Sequence, residues 1–340
     1  LQPVRLAGEA MKFAGYLEQS WHQTSVLSLV LTPVSMVYGL AVWLRRNLFR
    51  LGLLQVRRWN VPVVVIGNLT VGGAGKTPLV IATVKALRNI GFCPGVVSRG
   101  YRRQSQCSVR ATVDSDPDEV GDEPALIARL AGVPVAVDSN RPRAVDILLN
   151  DTSVDVIVSD DGLQHLRMGR SVEIAVIDDK RRFGNGRLLP AGPLREPKSR
   201  LDSVDIVVRN GGIASSEEFS MRLTLASARN LTSNEERPLS DFSGSSVTAL
   251  AGIADPDHFF RQLRERGIGI TGLPFPDHHR YRMSELEPLR GITVLMTAKD
   301  AVKCRRVADS HWWEVGQAID IEPAFIEQLR ELLNGATLEH

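Results

Sequence analysis

Residues 70–77 run Thr70-Val71-Gly72-Gly73-Ala74-Gly75-Lys76-Thr77, directly after the β-branched run Val61-Pro-Val-Val-Val-Ile-Gly67. A strand, a glycine loop and a Lys-Thr pair opening a helix make a cradle for a nucleoside triphosphate. The glycines let backbone N–H groups turn toward phosphate oxygens without a Cβ in the way. Lys76 has the reach for the β- and γ-phosphates, and the Thr77 hydroxyl suits a Mg²⁺ ligand. Pro78 costs little just inside the helix, where its N–H would be unpaired anyway. The strict motif begins with Gly where this chain has Thr70, so the loop is a variant P-loop.

Carboxylates come next. Val154-Asp-Val-Ile-Val-Ser-Asp160-Asp161-Gly162 is an apolar strand ending in two acids, where P-loop proteins keep their Mg²⁺-linked carboxylate. An Asp-Asp-Gly turn that merely ends a strand is the plainer alternative. Asp122, in Gly121-Asp-Glu-Pro124, opens a helix and is read either as its N-cap or as a catalytic acid. Arg182–Pro197 is too rich in Gly and Pro for regular structure and displays Arg187, Arg195 and Glu196, the arginines suited to clamping phosphate. Arg99, Arg102 and Arg103 form a second possible anion site. Phe275-Pro-Asp-His278-His279 offers a base, a metal site or plain surface, with no third ligand at zinc-like spacing.

The elements that must position these groups alternate. Strands are predicted at 61–67, 95–98, 133–137, 154–160, 172–177 and 204–208, with helices at 78–89, 123–130 and 143–149. This pattern means βαβ units and a mostly parallel sheet with ligands at the strands' carboxyl ends. A second set follows: strands 247–251, 268–273 and 293–297 with helices 258–266 and 323–333. The fold class is α/β, a P-loop NTPase-type sheet with a smaller second α/β lobe. We divide the chain into an apolar and basic helical segment (1–58), a P-loop core (59–210), a linker around one strand near 221–225 (211–240) and a C-terminal lobe (241–337), with a cleft expected between the lobes. Residues 338–340 are read as a tag remnant, and Met11 as the native start.

The 340 residues carry a net charge of +2, which argues against a dedicated nucleic-acid binder. Three cysteines without metal or Cys-x-x-Cys spacing suggest a reducing compartment. Val26–Leu44 contains no charged residue, and Arg45, Arg46 and Arg50 follow at once. A helix lying in the membrane interface is the leading reading, ahead of a spanning helix and a buried core helix. Pro33 is expected to kink it.

Together these pieces resemble the tetraacyldisaccharide 4′-kinase family, the membrane-associated lipid A kinases of Gram-negative bacteria. The matching residues are Val65–Pro78, Ser98-Arg-Gly-Tyr101, Asp114–Pro117 with Val120–Pro124, Ser159-Asp-Asp-Gly-Leu-Gln-His165, Phe183–Pro197, Phe275–His279 and Thr297–Cys304, in the expected order. The resemblance implies transfer of the γ-phosphate of ATP, with Mg²⁺, to the 4′-hydroxyl of a tetraacyldisaccharide 1-phosphate at the cytoplasmic face of the inner membrane, without an obligatory protein partner. It implies that Asp122 is the general base paired with His278, that Lys76 is catalytic, and that Asp160, Asp161 and Glu196 lie near nucleotide and metal. Thr70 is the family's own form. Two departures stand out: Arg102 where Gly is usual, and Ala298 where Glu is common. The rival reading, a membrane-tethered P-loop NTPase switch, lacks an Asn-Lys-x-Asp guanine motif, since no Asn-Lys occurs in the chain.

Overall fold

The computed structural model describes residues 20, 21, 23 and 25–338. Met11, Glu339 and His340 lie outside the described residues. The chain forms two compact units: the described parts of Leu1–Lys76, Ser159–Met221 and Glu322–His340 make the first, and Thr77–Val158 with Arg222–Ile321 the second.

In the first unit the strand Val63–Gly67 is buried along its whole length, as its unbroken apolar run requires of a strand covered on both faces. It pairs in parallel with Val172–Asp178, Val64 opposite Val172 and Gly67 opposite Ala175. Ile206–Asn210 adds to that strand, and the start of Phe219–Asn230 adds to Ile206–Asn210, both in parallel. Val64, Ile66, Leu163, Met168, Ile174 and Val208 fill the interior. The apolar N-terminal stretch is two helices, Val26–Val30 and Thr32–Arg50. Pro33 kinks neither, because it sits in the first turn of the second, where its missing N–H costs no hydrogen bond. Among the described residues no helix is long and apolar enough to cross a membrane.

In the second unit Pro94–Ser98 pairs in parallel with Val135–Val137, and the short strand Val109–Ala111 closes that edge antiparallel. A second parallel group sets Ser246–Ala251 between Gly269–Pro274 and Val294–Thr297, with Trp312–Ile321 beyond. Phe242, Phe259, Phe260, Leu263 and Trp313 pack one face of it. The strand expected near 221–225 runs much further, over Phe219–Asn230, because Ala228 and Asn230 are buried along with Met221 and Leu225.

The strand Trp312–Ile321 had no clear sequence signal, since Glu314 interrupts its apolar run. Glu314 is 4% exposed and meets Arg129 of the helix Asp122–Ala131 in a two-pronged pair, Arg129 Nη2 donating to Oε1 at 2.6 Å. Breaking a buried pair strands a charge at about 3–5 kcal/mol, whereas replacing both partners by apolar groups is far cheaper. Glu314→Ala is therefore expected to lower the urea midpoint sharply, and Arg129→Met with Glu314→Leu to recover most of the loss. Equal losses in the two proteins would show that stranded charge is not the cause.

Candidate active site

The first unit holds the phosphate loop. Gly72 and Gly75 have φ of 102° and 90°, in the region that favours glycine. A Cβ on Gly75 would lie 2.5 Å from Asn210 Nδ2, which itself donates to the Ala74 carbonyl at 3.2 Å. The helix begins at Lys76, and the half-buried Thr77 is its second residue. Thr70 is braced from outside: it bridges Leu194, Val71 N–H donates to Pro193 O at 2.9 Å, and Arg195 N–H donates to Leu69 O at 2.7 Å. The Gly/Pro-rich segment is thus a strap along the loop.

Lys76 donates to Asn68 Oδ1 at 3.1 Å and stands 3.6 Å from Asp161. Arg195 Nη1 reaches both Asp161 oxygens at 3.1 Å and Gln164 Oε1 at 3.4 Å. Asn68, fully buried, also donates to Thr70 Oγ1 at 3.3 Å. Sequence reasoning placed Asn68 inside a motif without giving it a task. Its signal was the lone amide between an apolar strand and a glycine loop.

Asp160 is 2% exposed and Glu196 is 3% exposed. Burial pushes the Glu196 carboxyl up, against the pull of Arg200, whose Nε lies 3.5 Å away. Among the described residues Glu196 Oε2 has no hydrogen-bond partner. Among the described residues no three His, Cys, Asp or Glu side chains form a group that could hold a metal by themselves. Mg²⁺ does not ask for one: it takes one or two carboxylates and completes its shell with phosphate and water. A buried carboxylate oxygen without a hydrogen bond fits that ion. Of the arginines predicted to clamp phosphate, Arg195 stands at the loop, whereas Arg187 hydrogen-bonds Thr32 of the N-terminal helix.

The second unit holds Asp122 and His278. Asp122 is not an N-cap. Gly121 caps the helix at φ 97°, where a Cβ would meet Gly100 Cα at 3.0 Å, and Asp122 becomes the first helical residue. Its Oδ2 lies 3.0 Å from His278 Nδ1, joining residues far apart in sequence. Burial works against the Asp122 charge, but the His278 hydrogen bond and the charges of Lys303 and Lys299 outweigh it and hold the carboxyl below its ordinary range. Lys303 is 3.9 Å from Asp122 and 3.0 Å from the fully buried Asp300. The Tyr101 and His278 rings form a T-shaped pair with centroids 5.4 Å apart. His279 turns the other way, stacking on Phe275 at 4.7 Å and bonding Glu285 at 3.0 Å, which makes it part of the turn's packing. Arg102 donates to the Asp277 carbonyl at 3.2 Å and Arg103 to the Val137 carbonyl at 3.2 Å. Arg99 is exposed.

A phosphate loop at the end of a buried parallel strand defines a P-loop nucleotide-binding protein. Residues 27–334 match the sequence profile of the tetraacyldisaccharide-1-P 4′-kinase family, and the chain belongs to that family. It is 44% identical over 319 residues to the tetraacyldisaccharide 4′-kinase of Methylobacillus flagellatus, covering 93% of this chain and 95% of the relative. With the enzyme of the same name from Shewanella loihica it shares 45% over 310 residues, 91% and 92% of the two chains. A crystal structure of the "apo" form of LpxK from Aquifex aeolicus in complex with ATP superposes with a TM-score of 0.80 at 28% identity, covering 91% of this chain and 100% of that one.

Gly75→Ala places its methyl against Asn210 and forces a strained φ, so we expect ATP binding measured by calorimetry to be lost while the fold persists. Gly91 has φ 98°, but a Cβ there would meet nothing within 4 Å. Gly91→Ala should cost only the backbone term of about 1 kcal/mol and leave ATP binding intact.

Proposed function

We infer that the protein transfers the γ-phosphoryl group of ATP to the 4′-hydroxyl of a tetraacyldisaccharide 1-phosphate, giving the 4′-phosphorylated lipid A precursor. The observation that carries this reading is the family match over residues 27–334, which takes in both the phosphate loop and the Asp122–His278 pair.

Phosphoryl transfer asks a protein mainly for positioning and for charge placed where the transition state needs it. In our reading the backbone N–H groups of Gly72–Thr77 cradle the triphosphate, and Lys76 spreads the charge of its terminal phosphates. Lys76 reaches that task already oriented, since Asn68 and Asp161 fix its ammonium. Asp160, Glu196 and the Thr77 hydroxyl would hold Mg²⁺, which when bound neutralises charge on the β- and γ-phosphates. Asp161, committed to Arg195, would set the position of that guanidinium.

Asp122 would accept the proton of the 4′-hydroxyl. Its depressed value keeps it ionised at neutral pH, and that charge is lost only as pH falls below the ordinary carboxylate value of about 3.9. So low a value makes it a weak base. A loose transition state suits this, because the hydroxyl gives up its proton late and orientation counts for more than proton affinity.

An acylated substrate explains the helix Thr32–Arg50. Met36, Val37, Leu40 and Trp43 are each at least 60% exposed along it, with Leu51 and Leu53 following at 70% and 68%. This face suits insertion into the acyl boundary at the cytoplasmic face of the bacterial inner membrane, with Arg50 toward anionic headgroups. Arg45 is engaged inward, donating to the Gln164 carbonyl at 3.1 Å. No nucleic acid or obligatory protein partner enters the scheme.

Incubation with γ-labelled Mg-ATP and detergent-dispersed tetraacyldisaccharide 1-phosphate should place label at the 4′ position, and Lys76→Ala should abolish it. ATP hydrolysis without labelled lipid would overturn the assignment. Asp122→Asn should lower kcat by about 10²-fold with ATP affinity unchanged; undiminished turnover would exclude it as the base. Leu40→Glu with Trp43→Glu should reduce sedimentation with anionic vesicles while sparing activity in detergent. Undiminished sedimentation would show that another surface makes the contact.

A further inference from the structure

A guanidinium rests against the phosphate loop from the neighbouring strand. Val172–Asp178 pairs in parallel with Val63–Gly67, so the turn that follows it opens at the same sheet edge as the loop. Arg181 lies in that turn. A Cβ on Gly72 would come within 3.2 Å of Arg181 Nη1, so the side chain packs on the loop where the glycine leaves room. Gly72 thus has two reasons to be glycine, its φ of 102° and the guanidinium beside it.

The turn is tied so as to present this residue. Arg181 N–H donates to Asp178 Oδ1 at 2.8 Å, Arg182 N–H donates to the Asp178 carbonyl at 2.8 Å, and the Arg181 carbonyl accepts from Gly184 N–H at 2.9 Å. Asp179 N–H donates to the Asn210 carbonyl at 3.1 Å, which fastens the turn to the next strand. The Asp179 carboxylate takes Arg209 at 2.9 Å and Arg182 at 3.3 Å. Arg195, the other arginine at the loop, is spread over both Asp161 oxygens.

Arg181 touches the side of the loop that serves the terminal phosphates. Lys76, whose reach suits the β- and γ-phosphates, donates to Asn68 Oδ1 at 3.1 Å, and the same amide donates to the Gly72 carbonyl at 3.5 Å. Gly72 and Lys76 therefore share one fully buried asparagine, and a guanidinium packed on Gly72 lies on the Lys76 side.

We propose that Arg181 is a further catalytic residue, supplied by the turn after the neighbouring strand, whose guanidinium donates to the oxygens of the phosphoryl group being transferred. In that step the bond from the γ-phosphorus to the β,γ-bridging oxygen breaks and its electron pair leaves with ADP. The acceptor oxygen bonds to phosphorus as its proton passes to the general base. Negative charge spreads over the equatorial oxygens at that moment, and a planar fork of N–H donors can meet two of them at once. The role in transfer rests on the kinase reading; the contact with the γ-phosphate does not.

Calorimetry on the whole protein with Mg-ATP and with Mg-ADP separates the two. Arg181→Met should weaken ATP about tenfold and leave ADP unchanged, as loss of a charged hydrogen bond to the γ-phosphate alone would. Its kcat with the acylated disaccharide should fall roughly 10³-fold. Arg181→Lys keeps the charge without the fork, so it should retain most of the ATP affinity and recover only part of the turnover. Arg182→Met, a change next door in the same turn, should match wild type in both measurements. Equal weakening of ATP and ADP, or losses as large in Arg182→Met, would show that the turn merely braces the loop and would overturn the proposal. So would undiminished turnover in Arg181→Met, or in Arg181→Lys should methionine disturb the fold. A wild-type protein that labels no lipid, with the ATP–ADP difference still lost in Arg181→Met, would overturn the kinase reading and leave the γ-phosphate contact standing.

Discussion

A charge taken out of water costs several kcal/mol unless an opposite charge and hydrogen bonds meet it, and both units of this chain bury carboxylates. Glu173, in the strand Val172–Asp178, is answered by Arg170 at 2.7 Å and by Arg200, itself 4% exposed. Those two arginines outweigh the burial and hold Glu173 below its ordinary range. Asp300 is answered by Lys303 and Glu314 by Arg129, while Asp161, only partly buried, meets Arg195 and Lys76. Arg200 and Arg129 lie far from their carboxylates in sequence, so these pairs fix other segments against the strands, whereas Lys303 lies one helical turn from Asp300. Glu196 is the exception: Arg200 and Arg46 draw it down, yet burial prevails. That imbalance is what a divalent cation would correct.

The same economy explains how a segment without regular structure is held in register. Arg182–Pro197 buries the run Ala191–Leu194, and its backbone is also tied on both sides. Ser35 donates to the Leu188 carbonyl at 2.8 Å and Tyr38 to the Arg195 carbonyl at 2.9 Å, while Arg195 N–H and the Pro193 carbonyl run along the phosphate loop. The apolar helix is therefore not a separate anchor. One face carries exposed Val37, Leu40 and Trp43, and the other, through Ser35 and Tyr38, supports the strap that supports the loop.

What was legible in the sequence was what period and punctuation encode. The buried strand before the glycine loop, the helix after it and most of the alternating elements lie within a few residues of their expected bounds. The Trp312–Ile321 strand and the length of Phe219–Asn230 were not legible, because buried polar residues blur their patterns and their partners lie far off in the chain. The same holds at the site. The Lys76 loop announces itself locally. Asp122 and His278 are 156 residues apart, and nothing in the spacing of either motif points to the other. Their pairing was foreseen through family resemblance. Asn68 went without a role because an asparagine is an ordinary residue until its neighbours are known.

Arg102 shows how a departure from family pattern is absorbed. The resemblance expects glycine there, and the backbone explains why, since φ is 61°. A side chain in that region costs of order 1 kcal/mol or more. Here the arginine offsets that cost with bonds a glycine lacks: it donates to the Asp277 carbonyl and lies over the Tyr101 ring at 5.5 Å. Its own carbonyl accepts from Arg280 at 2.9 Å. The substitution thus ties the Tyr101 loop to the turn that carries His278. The strain is local, while the contacts it makes fall on the residues that flank the Asp122–His278 pair. A loop that glycine would leave supple is stiffened beside that pair.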